Sequence, residues 1–161
     1  NHPNATEVML PADGNGGLTT WASKSPEQIL RDLHQMVNTV VELTNEVERP
    51  DTLLLTVKAF TKVSTTKLGI EAETVLSFFK KTTPYIKEVA TLVELKGAGQ
   101  GGADRAVVYK RDPLSLAMQV PQDFEMFPPQ ERGLEFEVPC HGRFGGVIVY
   151  KPLSILYADG M

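Results

Sequence analysis

YKRDPLSLAMQVPQDFEMFPPQERGLEFEVPCHGRFGGVIVYKPLSILYADG, residues 109–160, is the stretch on which the fold turns. Its apolar runs are short and are parted by proline and glycine, the residues that end regular elements and mark turns. Gly146 to Tyr150 and Ser154 to Tyr157 read as strands, as does Arg105 to Lys110 just before, around Val107, Val108 and Tyr109, with Asp112-Pro113 as its stop. Leu134 to Val138 is another: Leu134, Phe136 and Val138 alternate with Glu135 and Glu137, which places the two carboxylates on a solvated face. The stretch holds no cluster of catalytic side chains, so it reads as scaffold.

Upstream, the signals are helical. Ser25 offers an N-cap, Pro26 suits the first helical position, and Gln28 completes a capping box with Ser25. Ile29, Leu33, Met36, Val40, Leu43 and Val47 follow in steps of four and three, one apolar stripe on a helix from Ser25 to Val47. Arg31, Gln35, Asn38 and Glu42 form its wet face, and Pro50 ends it by disfavouring helical geometry in Arg49. Thr52 to Thr56 (TLLLT) is short and uniformly apolar, as in a strand covered on both faces. Lys58 to Lys67 reads as a short helix with Phe60 and Val63 inward, closed by Gly69. A second begins at Thr74 as N-cap and stops near Lys81, ahead of Pro84. Glu88 to Leu95 alternates toward a strand, and residues 1–24, with GNGG at Gly14 to Gly17, read as a flexible connector.

Composition bounds the function. The chain has 161 residues, 42% of them hydrophobic and 22% charged, which suits one packed domain and excludes a disordered or collagen-like chain. A net charge of −4 argues against a nucleic-acid-binding surface, which needs concentrated Lys and Arg. Cys140 is the single cysteine and has no partner for an internal disulfide; with no secretory segment in view, a reducing cytoplasm is the expected home. The apolar runs fall far short of the ~20 residues that a membrane span requires. Asn4-Ala5-Thr6 matches a glycosylation acceptor, a three-residue match without weight in that compartment.

Four blocks in a fixed order carry a family resemblance: SPEQILRDLHQMV from Ser25, PDTLLLT from Pro50, RAVVYKRDP from Arg105 and CHGRFGGVIVYKPLSILYADG from Cys140. Together they resemble the C-terminal part of tailed-phage major capsid proteins of the prophage-encoded set. The resemblance implies an α+β chain of the Hong Kong phage coat fold, shared with encapsulin compartments: a spine helix, a mixed axial domain and return strands. It assigns residues 1–24 to a connector, 25–50 to the spine helix of the peripheral domain, 51–118 to the axial domain and 119–161 to the return strands of both. The implied function is structural: a capsid subunit that assembles with copies of itself, in pentamers and hexamers, into an icosahedral shell around double-stranded DNA. That DNA would be contacted without sequence specificity, and no membrane is involved. The implied place is the virion capsid, with assembly in the bacterial host cytoplasm. No catalytic, cofactor-binding or metal-binding residue is expected. An encapsulin-like shell holding cargo is the alternative within the fold. Coat proteins of this fold carry an arm and an extended loop ahead of the spine helix, and neither fits in 24 residues. The expectation is a C-terminal fragment that folds without closing a shell.

Chemical readings compete with this one. GAGQGG matches GxGxxG at Gly97, Gly99 and Gly102 and follows an expected strand, the pattern of a small nucleotide-binding enzyme. That reading requires a helix over Ala103 to Arg111, with its amides facing a pyrophosphate, where the residues instead spell a strand. Cys140-His141 suggests a thiol nucleophile and base, but neighbours on extended chain point to opposite faces, and Cys140 reads as a small buried apolar group. His2, His34 and His141 lack metal-ligand spacing, and His34 flanks the helix stripe. Glu125, Glu131, Glu135 and Glu137 make an acidic region, read as a solvated strand side rather than a glycosidase pair. Phe124, Met126 and Phe127 beside Pro128-Pro129 are either an exposed contact patch or a core plug.

Overall fold

A computed structural model describes residues 3–69 and 73–161; His2 lies outside them. The strands in chain order are β1 (Thr6–Met9), β2 (Thr52–Leu55), β3 (Glu88–Thr91), β4 (Arg105–Tyr109), β5 (Leu116–Gln119), β6 (Gln122–Met126), β7 (Gln130–Arg132), β8 (Glu135–Glu137), β9 (Cys140–Arg143), β10 (Gly146–Val149) and β11 (Ile155–Asp159). The helices are α1 (Pro26–Leu43), α2 (Val57–Thr65) and α3 (Val75–Thr82). Packing divides the chain into two units: residues up to Arg111 together with Lys151–Met161, and Asp112–Tyr150.

The first unit is built on a five-stranded sheet in the order β1-β11-β4-β2-β3. β1 runs parallel to β11 and β2 parallel to β3, while β4 is antiparallel to both β11 and β2. The register sets Leu156, Val108 and Leu53 side by side across three strands, all fully buried. On these strands packs the stripe of α1, with Ile29, Leu33, Val37 and Val40 at 0% exposure and Met36 at 1%. Val63 of α2 and Val75 and Phe79 of α3 close the same core. Each such side chain removed from water stabilises the unit by about 1.5–3 kcal/mol.

α1 starts as its sequence asks: the Ser25 hydroxyl accepts from the Gln28 amide at 3.3 Å and the Gln28 side chain accepts from the Ser25 amide at 2.8 Å. It ends earlier than expected, at Leu43. Asn45 and Glu46 adopt φ of 50° and 63°, and the Glu46 amide reaches back to the Val41 carbonyl at 2.8 Å, so the backbone turns left-handed and Val47 stays 75% exposed. Thr56 and Thr74 cap α2 and α3 through their hydroxyls. β3 stops at Thr91, where the chain turns into a short 3-10 helix, Val93–Leu95, that buries Leu95 and leaves Val93 outside. Residues 1–24 are not simply a connector: β1 extends the sheet edge, and Leu10 and Trp21 are each 2% exposed.

One charge sits on the buried face of α1. The fully buried Asp32 carboxylate accepts from Lys24 Nζ at 2.6 Å, Arg31 Nη2 at 2.8 Å and the Trp21 indole N–H at 3.2 Å. The pre-helix segment is thereby tied to the helix it precedes.

The second unit, Asp112–Tyr150, is a ribbon of nested antiparallel pairs: β5 with β10, β6 with β9, β7 with β8. Pro121, Pro128-Pro129 and Pro139 cannot donate to a ladder, so they cut one long hairpin into three short ladders. The Gly145 amide still bonds the Gln119 carbonyl at 2.8 Å, and the Phe127 amide the Pro139 carbonyl at 2.9 Å, across the breaks. At the tip, Arg132 faces Glu135 around the two-residue loop Gly133-Leu134, and Gly133 has the φ of 69° that a tight hairpin turn needs.

Candidate assembly surface

The ribbon has no core of its own. Its single buried residue is Ser115, and Phe124, Met126, Phe127, Phe136 and Phe144 are 48–70% exposed. Leu134 at the tip is fully exposed. An isolated two-stranded hairpin is marginal in water, and contiguous exposed apolar surface marks a place where another surface sits. Of the two readings for Phe124, Met126 and Phe127, the structure gives the exposed patch. Phe124 lies across Gly142, its ring carbon 3.6 Å from where a Cβ on that glycine would stand, which spreads the aromatic face over both strands.

Polarity is sorted by face near the tip. Gln130 is paired with Glu137 and Arg132 with Glu135, so their side chains share one face, where Arg132 Nε also bonds Glu137 at 2.9 Å. Phe136 is on the other face. The carboxylates are solvated as expected. The apolar residues Leu134, Phe136 and Val138 are exposed too, because no second layer in the unit lies over them.

Cys140 corrects one expectation. It is exposed rather than buried, paired with Met126 in the ladder, and its thiol donates to the Val138 carbonyl at 3.6 Å. The cause is again the missing layer. His141 is paired with Glu125, one register position away and so on the opposite face of the ribbon from Cys140. His34 is a packing residue: one ring nitrogen lies 2.9 Å from the Leu30 carbonyl, the other 3.0 Å from the Thr82 hydroxyl, and the ring edge meets Phe79. Among the described residues no group of three or more His, Cys, Asp or Glu could hold a metal ion, and no helix is long and apolar enough to cross a membrane.

The GAGQGG loop uses its own amides. Gly97 donates to Asp104 Oδ1 at 3.0 Å, Gln100 to Asp159 Oδ2 at 2.9 Å and Gly99 to the Ala103 carbonyl at 2.8 Å. Carboxylates of the chain thus occupy the amides that a nucleotide reading would offer to phosphate, and β4 follows where that reading needs a helix. A Cβ on Gly99 would stand 2.8 Å from the Ala103 oxygen and from Asp159 Oδ1, so the glycine is there for close approach. Asp159 also takes Arg105 Nε at 2.6 Å and Nη2 at 2.8 Å. Burial pushes its carboxyl up, but the Arg105 and Gln100 hydrogen bonds prevail and hold it below the usual range. Sequence reasoning missed this pair, whose members lie 54 residues apart.

It also missed Glu48. This carboxylate, 8% exposed, accepts from Lys110 Nζ at 2.5 Å and from Lys151 Nζ. The two lysine hydrogen bonds, Lys110 first, hold its carboxyl below the ordinary value against the effect of burial.

A helix-and-sheet unit, with a core-less β-ribbon inserted in the chain between the adjacent sheet strands β4 and β11, defines an α+β protein. The chain belongs to the major capsid protein family, whose model matches residues 1–161. In solved structures its fold recurs in the capsid of Myoviridae phage XM1, with a TM-score of 0.82 at 15% identity over 98% of this chain and 52% of that one. It recurs in a virus-like particle from Pyrococcus furiosus, with a TM-score of 0.66 at 14% identity over 98% and 57%. A phage-related protein from Bordetella bronchiseptica RB50 gives a TM-score of 0.61 at 11% identity over 96% and 56%. The chain therefore spans about half the length of these structures. No curated protein matches its sequence. The α+β coat fold expected from the sequence, shared by phage capsids and encapsulin-like particles, is the fold found.

Proposed function

We propose that this chain is a structural subunit of a phage capsid, assembling with copies of itself into an icosahedral shell around double-stranded DNA. The observation that carries the proposal, beside the family, is the ribbon 112–150, whose apolar side chains have no cover within their own unit. Heterologous contacts that close into rings would build the pentamers and hexamers of such a shell from one chain. The subunit does no chemistry of its own and meets the DNA without reading its sequence, in keeping with a net charge of −4. It works in the virion and assembles in the cytoplasm of a bacterial host.

In that shell α1 would serve as the spine, residues 51–118 as the axial domain and 119–161 as the return strands. The packing of α1 against β4 and β11 supports placing helix and return strands together. The compact units cut these segments differently, since 119–161 contributes both to the ribbon and, through β11, to the sheet. The test is expression of the whole product of the gene, followed by light scattering and negative-stain microscopy. Closed shells are expected, and failure to form any particle overturns the proposal. Particles that enclose a co-expressed cargo protein in place of DNA would establish the encapsulin-like alternative.

A further inference from the structure

A cavity of about 360 Å³ lies beside α2, lined wholly by residues of the sheet unit. Its floor is apolar: Trp21, Ala59 and Met161, at 2%, 6% and 9% exposure, line it. Its rim is basic. Lys58 and Lys62, four residues apart and so on one side of α2, border the opening, and neither ammonium group meets a carboxylate among the described residues. Asp104, which also lines the cavity, already accepts from the Gly97 amide. The ribbon carries the opposite charge. Residues 112–150 hold six carboxylates and two arginines, which accounts for the whole net charge of −4. Two ribbons therefore repel one another, and their apolar side chains suit a basic partner instead. At the ribbon tip Leu134 is fully exposed, with Glu131 and Glu135 beside it on opposite faces, and Arg132 bonds Glu137 rather than either of them.

We propose that the ribbon tip of one copy docks in the α2 cavity of a second copy, with Leu134 on the apolar floor and Glu131 and Glu135 against Lys58 and Lys62. An apolar cavity of about 150 Å³ holds benzene, so one more than twice that size has room for a leucine side chain with the glycine of its turn. Size admits many occupants; charge selects among them. Burial of Leu134 supplies attraction, and the two lysines favour an acidic tip over any other. DNA would satisfy the lysines, yet a phosphate backbone has no apolar knob for the floor beneath them. Tip and cavity are different surfaces, so each copy gives one and receives one, which is the heterologous contact that ring closure requires. The inference deepens the assembly reading by naming the two surfaces that meet, and it rests on that reading.

Trp21 is the single tryptophan of the chain and lines the cavity, so its emission reports occupancy. As the concentration of the 161-residue chain is raised, that emission should change in step with the mass seen by light scattering. Leu134→Asp should weaken the association by about tenfold or more. Glu131→Lys with Glu135→Lys should weaken it likewise, and adding Lys58→Glu and Lys62→Glu to that chain should restore it. Emission that does not change with concentration, or association that Leu134→Asp leaves unaltered, overturns the contact. So does a Lys58→Glu, Lys62→Glu chain that self-associates as before but no longer binds a double-stranded oligonucleotide, a result that gives the lysines to DNA. Should the lysine variants not fold, Leu134→Asp, at a fully exposed position, decides alone. In the whole gene product, closed shells from Leu134→Asp as readily as from the parent overturn the contact and leave the assembly reading standing. Particles from neither bring down the assembly reading, and the concentration dependence of Trp21 still decides the contact.

Discussion

Lys24→Met removes one partner of the buried charge on α1. Lys24 and Asp32 both have side chains at 0% exposure, joined at 2.6 Å, so the substitution leaves a carboxylate inside the unit without its nearest cation. Breaking a buried pair in this way costs about 3–5 kcal/mol. Arg31, half exposed and 2.8 Å from the other carboxylate oxygen, and the Trp21 N–H at 3.2 Å both remain, which places the expected loss at the lower end, about 3 kcal/mol. For a chain of this size that lowers the melting temperature by about 6–12 °C. Adding Asp32→Asn discharges the buried group and keeps an acceptor for the indole, so the double variant should regain about 1–2 kcal/mol over Lys24→Met. Urea unfolding of the three proteins, followed by tryptophan fluorescence, measures both quantities. A loss below about 1 kcal/mol for Lys24→Met, or a double variant less stable than the single one, refutes the assignment of Lys24 as the counter-ion of Asp32.

On α1, Leu33→Ala should cost about 2–5 kcal/mol and Gln35→Ala less than about 0.5 kcal/mol, since one side chain is fully buried and the other exposed; equal unfolding midpoints would contradict the packing of the stripe. Glu48 and Asp159 are held below their ordinary values of 4.5 and 3.8, so as pH falls the unfolded chain takes up their protons before the folded one does. The stability they contribute is present above those values and is lost as pH drops through the folded ones. Unfolding free energy should therefore fall from about pH 5 to about pH 3, and less steeply in Glu48→Gln. Calorimetry with dinucleotides and nucleoside triphosphates should give only heats of dilution, while Gly99→Val, whose Cβ would crowd Asp159, should lower the melting temperature without any ligand. Micromolar nucleotide binding abolished by Gly99→Val would restore the enzyme reading.

What the sequence discloses is local. Ser25, Pro26 and Gln28 announce the start of α1, Thr56 and Thr74 lie at true caps, and the stripe from Ile29 to Val40 is the buried stripe. The end of α1 was misplaced because Val47 keeps the periodicity, whereas Asn45, a residue tolerant of positive φ, carries the stop signal. β1 escaped notice because its one partner, β11, lies about 150 residues away and nothing in TEVM differs from a polar tail. β5, β6, β7 and β9 are short, interrupted by proline and uncovered, so no apolar alternation marks a buried side. Cys140 was misjudged for the same reason: residue type suggests burial, but the second layer that would provide it is absent from the ribbon's unit. Glu48 and Asp159 look like ordinary surface acids until distant strands bring their partners to them.

The place of β11 within the sheet bears on timing. This late strand lies between β1 and β4, so both remain open edges until residues 155–159 have left the ribosome. Until then the core over β4 lacks Leu156 and Ala158, and the Arg105 guanidinium lacks Asp159. Long-range pairing of this kind is slow and leaves strand edges open to aggregation meanwhile. The five-stranded sheet is thus kept from completion until synthesis has passed Asp159.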